Sequence, residues 1–98
     1  MGKRLSSLLL LMLAGSSQTP ASDNEAYNAC VLKYQALAKT ERAAFYIQRS
    51  CSKLHIDGNY LFGSEKKYHQ CILDNLPGVE TETATSRILS VCNDQSSD

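Results

Sequence analysis

The sequence lacks the features that mark several large functional classes. It has ten basic and ten acidic residues, so its zero formal net charge argues against a nucleic-acid-binding surface. No apolar run reaches the roughly twenty residues that a transmembrane helix needs. The nearest two cysteines are separated by nineteen residues, which excludes the C-x-x-C pair of a thiol redox enzyme.

Spacings typical of metal, haem and hydrolytic sites are also missing. His55 and His69 do not form an H-x3–5-H pair, there is no C-x-x-C-H haem motif, and no serine lies in a G-x-S-x-G setting. His55 is therefore expected to be a surface or packing residue, and His69 is expected to be solvated. We predict a non-enzymatic protein without a cofactor or a metal. Four acidic residues fall at predicted helix ends and loops, where capping accounts for them: Glu41, Asp74, Glu80 and Glu82.

The first 21 residues have the composition of a signal peptide. Lys3 and Arg4 form a positive start, residues 5–14 form a short apolar core, and small residues follow. We predict cleavage after Ala21, which leaves residues 22–98 as the exported domain, in the periplasm or secreted. The alternative cleavage points are Ala14 and Ser16.

A domain of this size buries only about 60% of the surface of its unfolded chain and is marginally stable without additional support. After removal of Lys3 and Arg4 it retains eight basic residues against ten acidic ones, so it offers no strong membrane signal either. An even number of cysteines in a small exported chain indicates disulfides. The predicted disulfide residues are Cys30, Cys51, Cys71 and Cys92.

The chain contains an internal repeat. A shift of 41 residues makes eight of the 25 positions in residues 27–51 identical to their counterparts. The matches are the positions that cap, pack or crosslink a helical hairpin. We therefore predict an all-α fold of two disulfide-stabilised hairpins, about four helices in one small domain, with repeat 1 at about residues 22–54 and repeat 2 at about 64–94. The identical pairs are Tyr27/Tyr68, Cys30/Cys71, Leu32/Leu73, Thr40/Thr81, Glu41/Glu82, Ala43/Ala84, Ile47/Ile88 and Cys51/Cys92.

Local signals place the helix ends. Pro77 and Gly78 end the third helix near residue 75, and Thr81 caps the fourth. By analogy Thr40 caps the second helix after a break at residues 35–39, and Ser22 begins a capping box at the first. We expect the apolar residues of 53–63 to pack between the halves, with a β-hairpin at residues 57–58 as the alternative. The polar tail from residue 93 is expected to fray. The inward faces are predicted to carry Tyr27, Cys30, Val31 and Tyr34; Ala43, Ala44, Ile47 and Cys51; Tyr68, Cys71, Ile72 and Asn75; and Ala84, Ile88, Val91 and Cys92.

Four cysteines allow three pairings, and two of them are serious candidates. The repeat favours Cys30–Cys51 with Cys71–Cys92. However, Cys71 lies only about four residues before a break and Cys92 about ten residues into the next helix, a stagger of about 9 Å. A nested arrangement, Cys30–Cys92 with Cys51–Cys71, is the alternative.

The second repeat resembles a motif of small exported bacterial four-cysteine proteins of unknown function. That motif reads C-[IV]-L-x-N-x-x-G-[VA], followed by Ser or Thr with an acidic residue, then Ala, Ile and a closing Cys. The resemblance extends over about residues 27–92, although Tyr34 and Leu37 replace the Asn and Gly in repeat 1. It implies the four-cysteine fold and no particular activity. The matching residues are Cys71, Ile72, Leu73, Asn75, Gly78, Val79, Thr81, Glu82, Ala84, Ile88 and Cys92.

The function predicted from these features is binding of another protein in the bacterial envelope, for example as an inhibitor or immunity-type protein. The alternative is a saposin-like protein that interacts with lipid or membrane, although its helices show no cationic amphipathic face. Tyrosines are common at interfaces, although core packing is their more usual role. The five tyrosines of the chain are therefore candidates for a binding face: Tyr27, Tyr34, Tyr46, Tyr60 and Tyr68.

Overall fold

The computed structural model describes residues 23–97, and within this range the regular structure is entirely helical. The predicted all-α fold of two disulfide-stabilised hairpins is confirmed. Short 3-10 turns follow the first and second helices at Gln35–Leu37 and Gly58–Tyr60, so the alternative β-hairpin at residues 57–58 is wrong. The predicted signal peptide, its cleavage points and Ser22 lie outside the described residues. The helices are α1, Asp23–Tyr34; α2, Glu41–His55; α3, Gly63–Asn75; and α4, Glu82–Ser96.

The two threonines predicted to cap helices do so at equivalent positions of the repeat. Thr40 Oγ1 accepts a hydrogen bond from the Ala43 N–H at 3.0 Å, and Thr81 Oγ1 accepts one from Ala84 at 3.0 Å. Each bond satisfies a donor that the first turn of a helix otherwise leaves unpaired. The starts of α2 and α4 are therefore specified by local interactions.

Each hairpin is closed by its own disulfide. Cys30 is bonded to Cys51 and Cys71 to Cys92, with Cα–Cα distances of 5.7 and 5.6 Å. The connecting segments take up the stagger between the cysteines. Gly78 has φ +87° just after α3, and Thr81 is extended at φ −128° and ψ 156°, so the chain rises along the hairpin before α4 begins.

Helix α2 is central in the packing, because it contacts α1, α3 and α4. Polar contacts join the two hairpins at the turns between their helices: the Gly78 N–H donates to the Leu37 carbonyl at 2.8 Å, and the Thr40 and Thr85 hydroxyl oxygens lie 3.3 Å apart. Three disulfide cysteines are buried and the fourth, Cys71, packs against them. The buried apolar core consists of Cys30, Ala43, Ile47, Cys51, Ile72, Leu73, Leu76 and Cys92.

Some inward faces differ from the prediction. Asn75 and Val91 are exposed, and the buried positions instead include Leu73 on α3, Leu76 directly after it and Thr85 on α4. The inner face of α3 is therefore rotated, because this helix has to contact both α2 and α4. His69 is also buried, although it was expected to be solvated.

The expectations for the linker and the tail are also partly wrong. Leu54 packs against the core, but Tyr60 is 85% exposed and Phe62 is 77% exposed. Both rings belong to the segment that connects α2 and α3, and these two helices pack directly on each other. The tail does not fray at residue 93, since α4 continues to Ser96, whose hydroxyl is buried and donates to the Cys92 carbonyl.

Candidate functional site

A cleft of about 800 Å³ lies where three helices meet at the end of the molecule away from the Gly78–Leu37 contact. The middle of α2, the first two turns of α3 and the end of α4 form its walls. Antiparallel packing within the second hairpin brings the last turn of α4 beside the start of α3. The cleft is lined by Phe45, Tyr46, Arg49, Ser64, Glu65, Tyr68, His69, Asn93, Ser96 and Ser97.

His69 is the most deeply placed ionisable group of the cleft. Its side chain is 6% exposed, and its Nδ1 lies 3.0 Å from the hydroxyl oxygen of buried Ser50 on α2. Burial lowers the pKa of His69, the nearby charges of Arg49 and Lys53 lower it further, and Glu65 opposes them. The imidazole is therefore neutral at neutral pH. The expectation of a solvated His69 is wrong.

Two tyrosines and an arginine surround the histidine. Burial, and to a smaller extent the nearby Tyr46, raise the pKa of Tyr68, while Arg49 opposes them. Tyr68 is thus a neutral phenol that can donate a hydrogen bond. Its ring meets the His69 ring edge-on, with the centroids 5.0 Å apart. The cleft therefore presents neutral hydrogen-bonding groups beside the charge of Arg49.

The carboxylate of the cleft already has a structural role. Glu65 Oε1 accepts a hydrogen bond from the Phe62 N–H at 2.9 Å, which satisfies a backbone donor at the start of α3. An acidic side chain in the first turn also interacts favourably with the helix dipole. Glu65 therefore stabilises the helix that carries Tyr68 and His69 into the cleft.

The Ser50–His69 pair does not have the geometry of a catalytic dyad. Ser50 is buried, so its hydroxyl is not accessible to a substrate, and it serves to orient the imidazole. The four cysteines are all in disulfides. Across residues 23–97, no three side chains of the His, Cys, Asp or Glu type come together as a metal site.

The other residues considered for function, the tyrosines and the acidic side chains, do not come together at one site. Tyr46 and Tyr68 enter the cleft, whereas Tyr27 accepts a hydrogen bond from Gln48 at 2.8 Å and Tyr60 points to solvent. Asp74 accepts one from Gln70 at 3.0 Å. None of the four acidic residues predicted to lie at helix ends and loops, nor His55, lines the cleft.

Sequence reasoning missed Arg49 and the burial of His69. The spacing of residues 69, 72, 73 and 76 is the i, i+3, i+4, i+7 pattern of a buried helix face, so it contained the signal for His69. The signal was hidden because the repeat aligns His69 with Asn28 and therefore offers no matching residue. Nothing in the pattern distinguishes Arg49 from the other exposed cations.

The burial of His69 predicts a specific pH dependence of stability. Below the ordinary histidine pKa of about 6.5, His69 binds a proton in the unfolded chain but remains neutral in the folded chain until its lowered pKa is reached. The stability that depends on neutral His69 is thus fully present above that pH and is lost as the pH falls toward the lowered pKa of the folded state. The loss amounts to at most about 1.4 kcal/mol per pH unit.

Urea unfolding at pH 7.5 and 5.5 measures this effect. His69→Asn keeps a side-chain partner for Ser50 but does not titrate, so we expect it to lose less stability on acidification than the unmodified chain. The control is His55→Asn, which replaces the other histidine. An equal loss in His69→Asn and the unmodified chain would show that other groups cause the pH dependence.

Two intramolecular disulfides indicate an oxidising location outside the cytoplasm. Within the described part of the chain, no helix combines the length and the apolar character required to cross a membrane.

Comparison with known proteins identifies a family. The sequence matches the family described as four-cysteine protein VF_A0006-like over residues 7–96. No curated protein and no solved structure matches the chain. The match covers nearly the whole sequence and agrees with the resemblance noted in the second repeat. With its four cysteines paired within two helical hairpins, this chain belongs to the four-cysteine protein VF_A0006-like family.

Proposed function

We propose that this protein is an exported, non-enzymatic module that binds another protein in the bacterial envelope. The observation that carries the proposal is the exposure of large aromatic side chains at and near the cleft. Phe45 lines the cleft and is 56% exposed, and Phe62, two residues before the cleft residue Ser64, is still more exposed. Aromatic residues and arginine supply much of the binding energy at protein interfaces, and the cleft adds Arg49.

Two further features support export. The family match begins at residue 7, so it includes most of the apolar core of the predicted signal peptide. The two disulfides need an oxidising compartment, which the periplasm or the extracellular space supplies. Rigid hairpins with a ready-made aromatic surface suit an inhibitor or immunity-type protein, because little conformational entropy is lost on binding.

Site-specific photocrosslinking in the producing cell tests the proposal. With p-benzoylphenylalanine in place of Phe45, we expect one discrete crosslinked protein, and the purified partner should bind the unmodified protein and bind Phe45→Ser at least about tenfold more weakly. The matched control places the same photoprobe at Leu32, an exposed apolar residue of α1, which contributes nothing to the cleft. Equal crosslinking from both positions would contradict a specific binding surface.

A second candidate function is lipid binding, and one local feature favours it. Exposed Tyr60 and Phe62 are followed closely in the chain by exposed Lys66 and Lys67, a combination found at membrane interfaces. Flotation with anionic vesicles separates the two functions. Protein that remains at the bottom of the gradient removes the lipid function, whereas flotation that Phe62→Ser abolishes supports it.

A further inference from the structure

The acidic side chains in and near the cleft have partners within the protein, whereas its arginine has no ion-pair partner in the described part of the chain. Arg49 is exposed and forms no ion pair with any acidic side chain of residues 23–97. Glu65 is held by the Phe62 N–H, and nearby Asp57 lies 3.9 Å from Lys53. Glu65 keeps its negative charge but is held at the helix start, whereas the Arg49 guanidinium has no ion-pair partner among these residues and can interact with a ligand.

His69 supplies a second group that is built into the protein and directed to the same space. The side chain is more than nine-tenths buried, and Ser50 occupies its Nδ1. Its Nε2 has no hydrogen-bond partner within the described chain, yet it is not sealed in the interior, and the ring lines the cleft. When the Ser50 hydroxyl donates to Nδ1, the proton of the neutral ring is on Nε2, where it is available to an acceptor.

The remaining lining adds donors and an apolar neighbour. Tyr46 and Tyr68 each carry a phenolic hydroxyl in the cleft, and Phe45 packs edge-on against Tyr46 with the ring centroids 5.2 Å apart. Guanidinium, imidazole and phenol groups together match a planar anion with two acceptor oxygens. The exposed Phe45 ring lies beside them and can cover an apolar side chain.

We propose that the cleft binds a carboxylate of a partner polypeptide, with Arg49 as its ion-pair partner and His69 Nε2 as a hydrogen-bond donor. An apolar side chain next to that carboxylate packs on Phe45. This inference rests on the proposed protein-binding function and adds the chemistry of the partner: an acidic residue beside an aromatic or aliphatic one.

Small peptides test the recognition without requiring the natural partner. The probes are acetyl-Phe-Glu-amide, the neutral acetyl-Phe-Gln-amide and inorganic phosphate, each titrated at millimolar concentration into the oxidised protein and followed through its backbone amide NMR shifts. We expect the Glu peptide to shift amides in residues 45–49, 64–69 and 93–97. We also expect it to bind at least about tenfold more tightly than the Gln peptide, because the hydrogen bonds are made to a charged acceptor.

Matched variants assign the effect to the two residues. Arg49→Gln should weaken binding of the Glu peptide at least about tenfold, whereas Arg87→Gln, which removes an exposed arginine of α4 outside the cleft, should leave it unchanged. His69→Asn retains a partner for Ser50 but withdraws Nε2, so it should weaken binding while the amide spectrum remains that of a folded protein.

Several results would overturn the inference. The inference fails if the Glu peptide does not bind, or if the Gln peptide binds equally tightly. It also fails if Arg49→Gln and Arg87→Gln lose the same affinity for the Glu peptide, or if phosphate binds at the same amides at least as tightly as the Glu peptide. The last result would identify a phosphate site instead. A protein crosslinked specifically from position 45, together with failure of the Glu peptide, would reject the carboxylate and leave the proposed function standing.

Discussion

Replacing Leu73 with alanine is expected to lower the free energy of unfolding by about 2–5 kcal/mol, whereas Leu32→Ala changes it by less than about 0.5 kcal/mol. The two leucines occupy the same position of the repeat. Leu73 is 3% exposed and Leu32 is 80% exposed. Removing the buried side chain loses its transfer free energy and leaves a cavity, while removing the exposed one does neither.

Urea denaturation of both variants measures the difference, and each leucine is the control for the other. The change in residue type, the helical setting and the distance from a cysteine are the same, so helix propensity contributes equally to both. Similar losses in the two variants would mean that Leu32 is covered in solution, in contradiction to its exposure on α1.

Removing the Cys71–Cys92 disulfide by a double replacement with alanine is expected to lower the free energy of unfolding by about 3 kcal/mol, and removing Cys30–Cys51 should have a similar effect. The two bonds close loops of the same length, with a sequence separation of 21 residues each. Each crosslink restricts the unfolded chain by a similar amount. A core of this size rarely supplies more than about 3–5 kcal/mol by itself, so removal of both bonds, which costs about 6 kcal/mol in total, is expected to leave the domain largely unfolded.

The control for the disulfide variants is chemical reduction. A reductant should destabilise the unmodified chain by more than it destabilises either double variant, because each variant has only one disulfide left to lose. Tryptic mapping without reduction checks the pairing itself. The peptide that ends at Lys33 should be linked to residues 50–53, and residues 68–87 should be linked to residues 88–98. A link between the Lys33 peptide and residues 88–98 would contradict the structure.

The helix ends were predictable because the interactions that set them are local. Gly78 adopts the left-handed conformation expected just after a helix, and Thr40 and Thr81 cap the helices that follow the breaks. A cap connects a side chain to a backbone N–H three residues away, so its signature survives in the sequence alone. The start of α3 was less clear, since Gly63 begins that helix and the donor before it is satisfied by Glu65, whose side chain reaches back to the Phe62 N–H.

The disulfide pairing was only half determined by the sequence. The repeat favoured closure within each hairpin, but the stagger of the cysteines along ideal helices opposed it. The stagger disappears because residues 76–81 carry the chain past the end of α3 before α4 begins, so Cys92 lies level with Cys71, with 5.6 Å between their Cα atoms. That displacement is a property of the loop path, which the spacing of the cysteines does not contain.

By itself, the sequence determined the duplicated hairpin, its breaks and caps and the four cysteines that crosslink it, since these depend on neighbours within a few turns or on a repeated spacing. The tertiary structure decided which copies of equivalent residues are buried. Leu73 is covered because α3 packs on the central helix α2, and Leu32 is not, although both have the same local sequence position. The cleft was decided in the same way. Arg49, His69 and Ser96 come from three helices and meet only because those helices pack side by side, a contact between distant segments that no local pattern records.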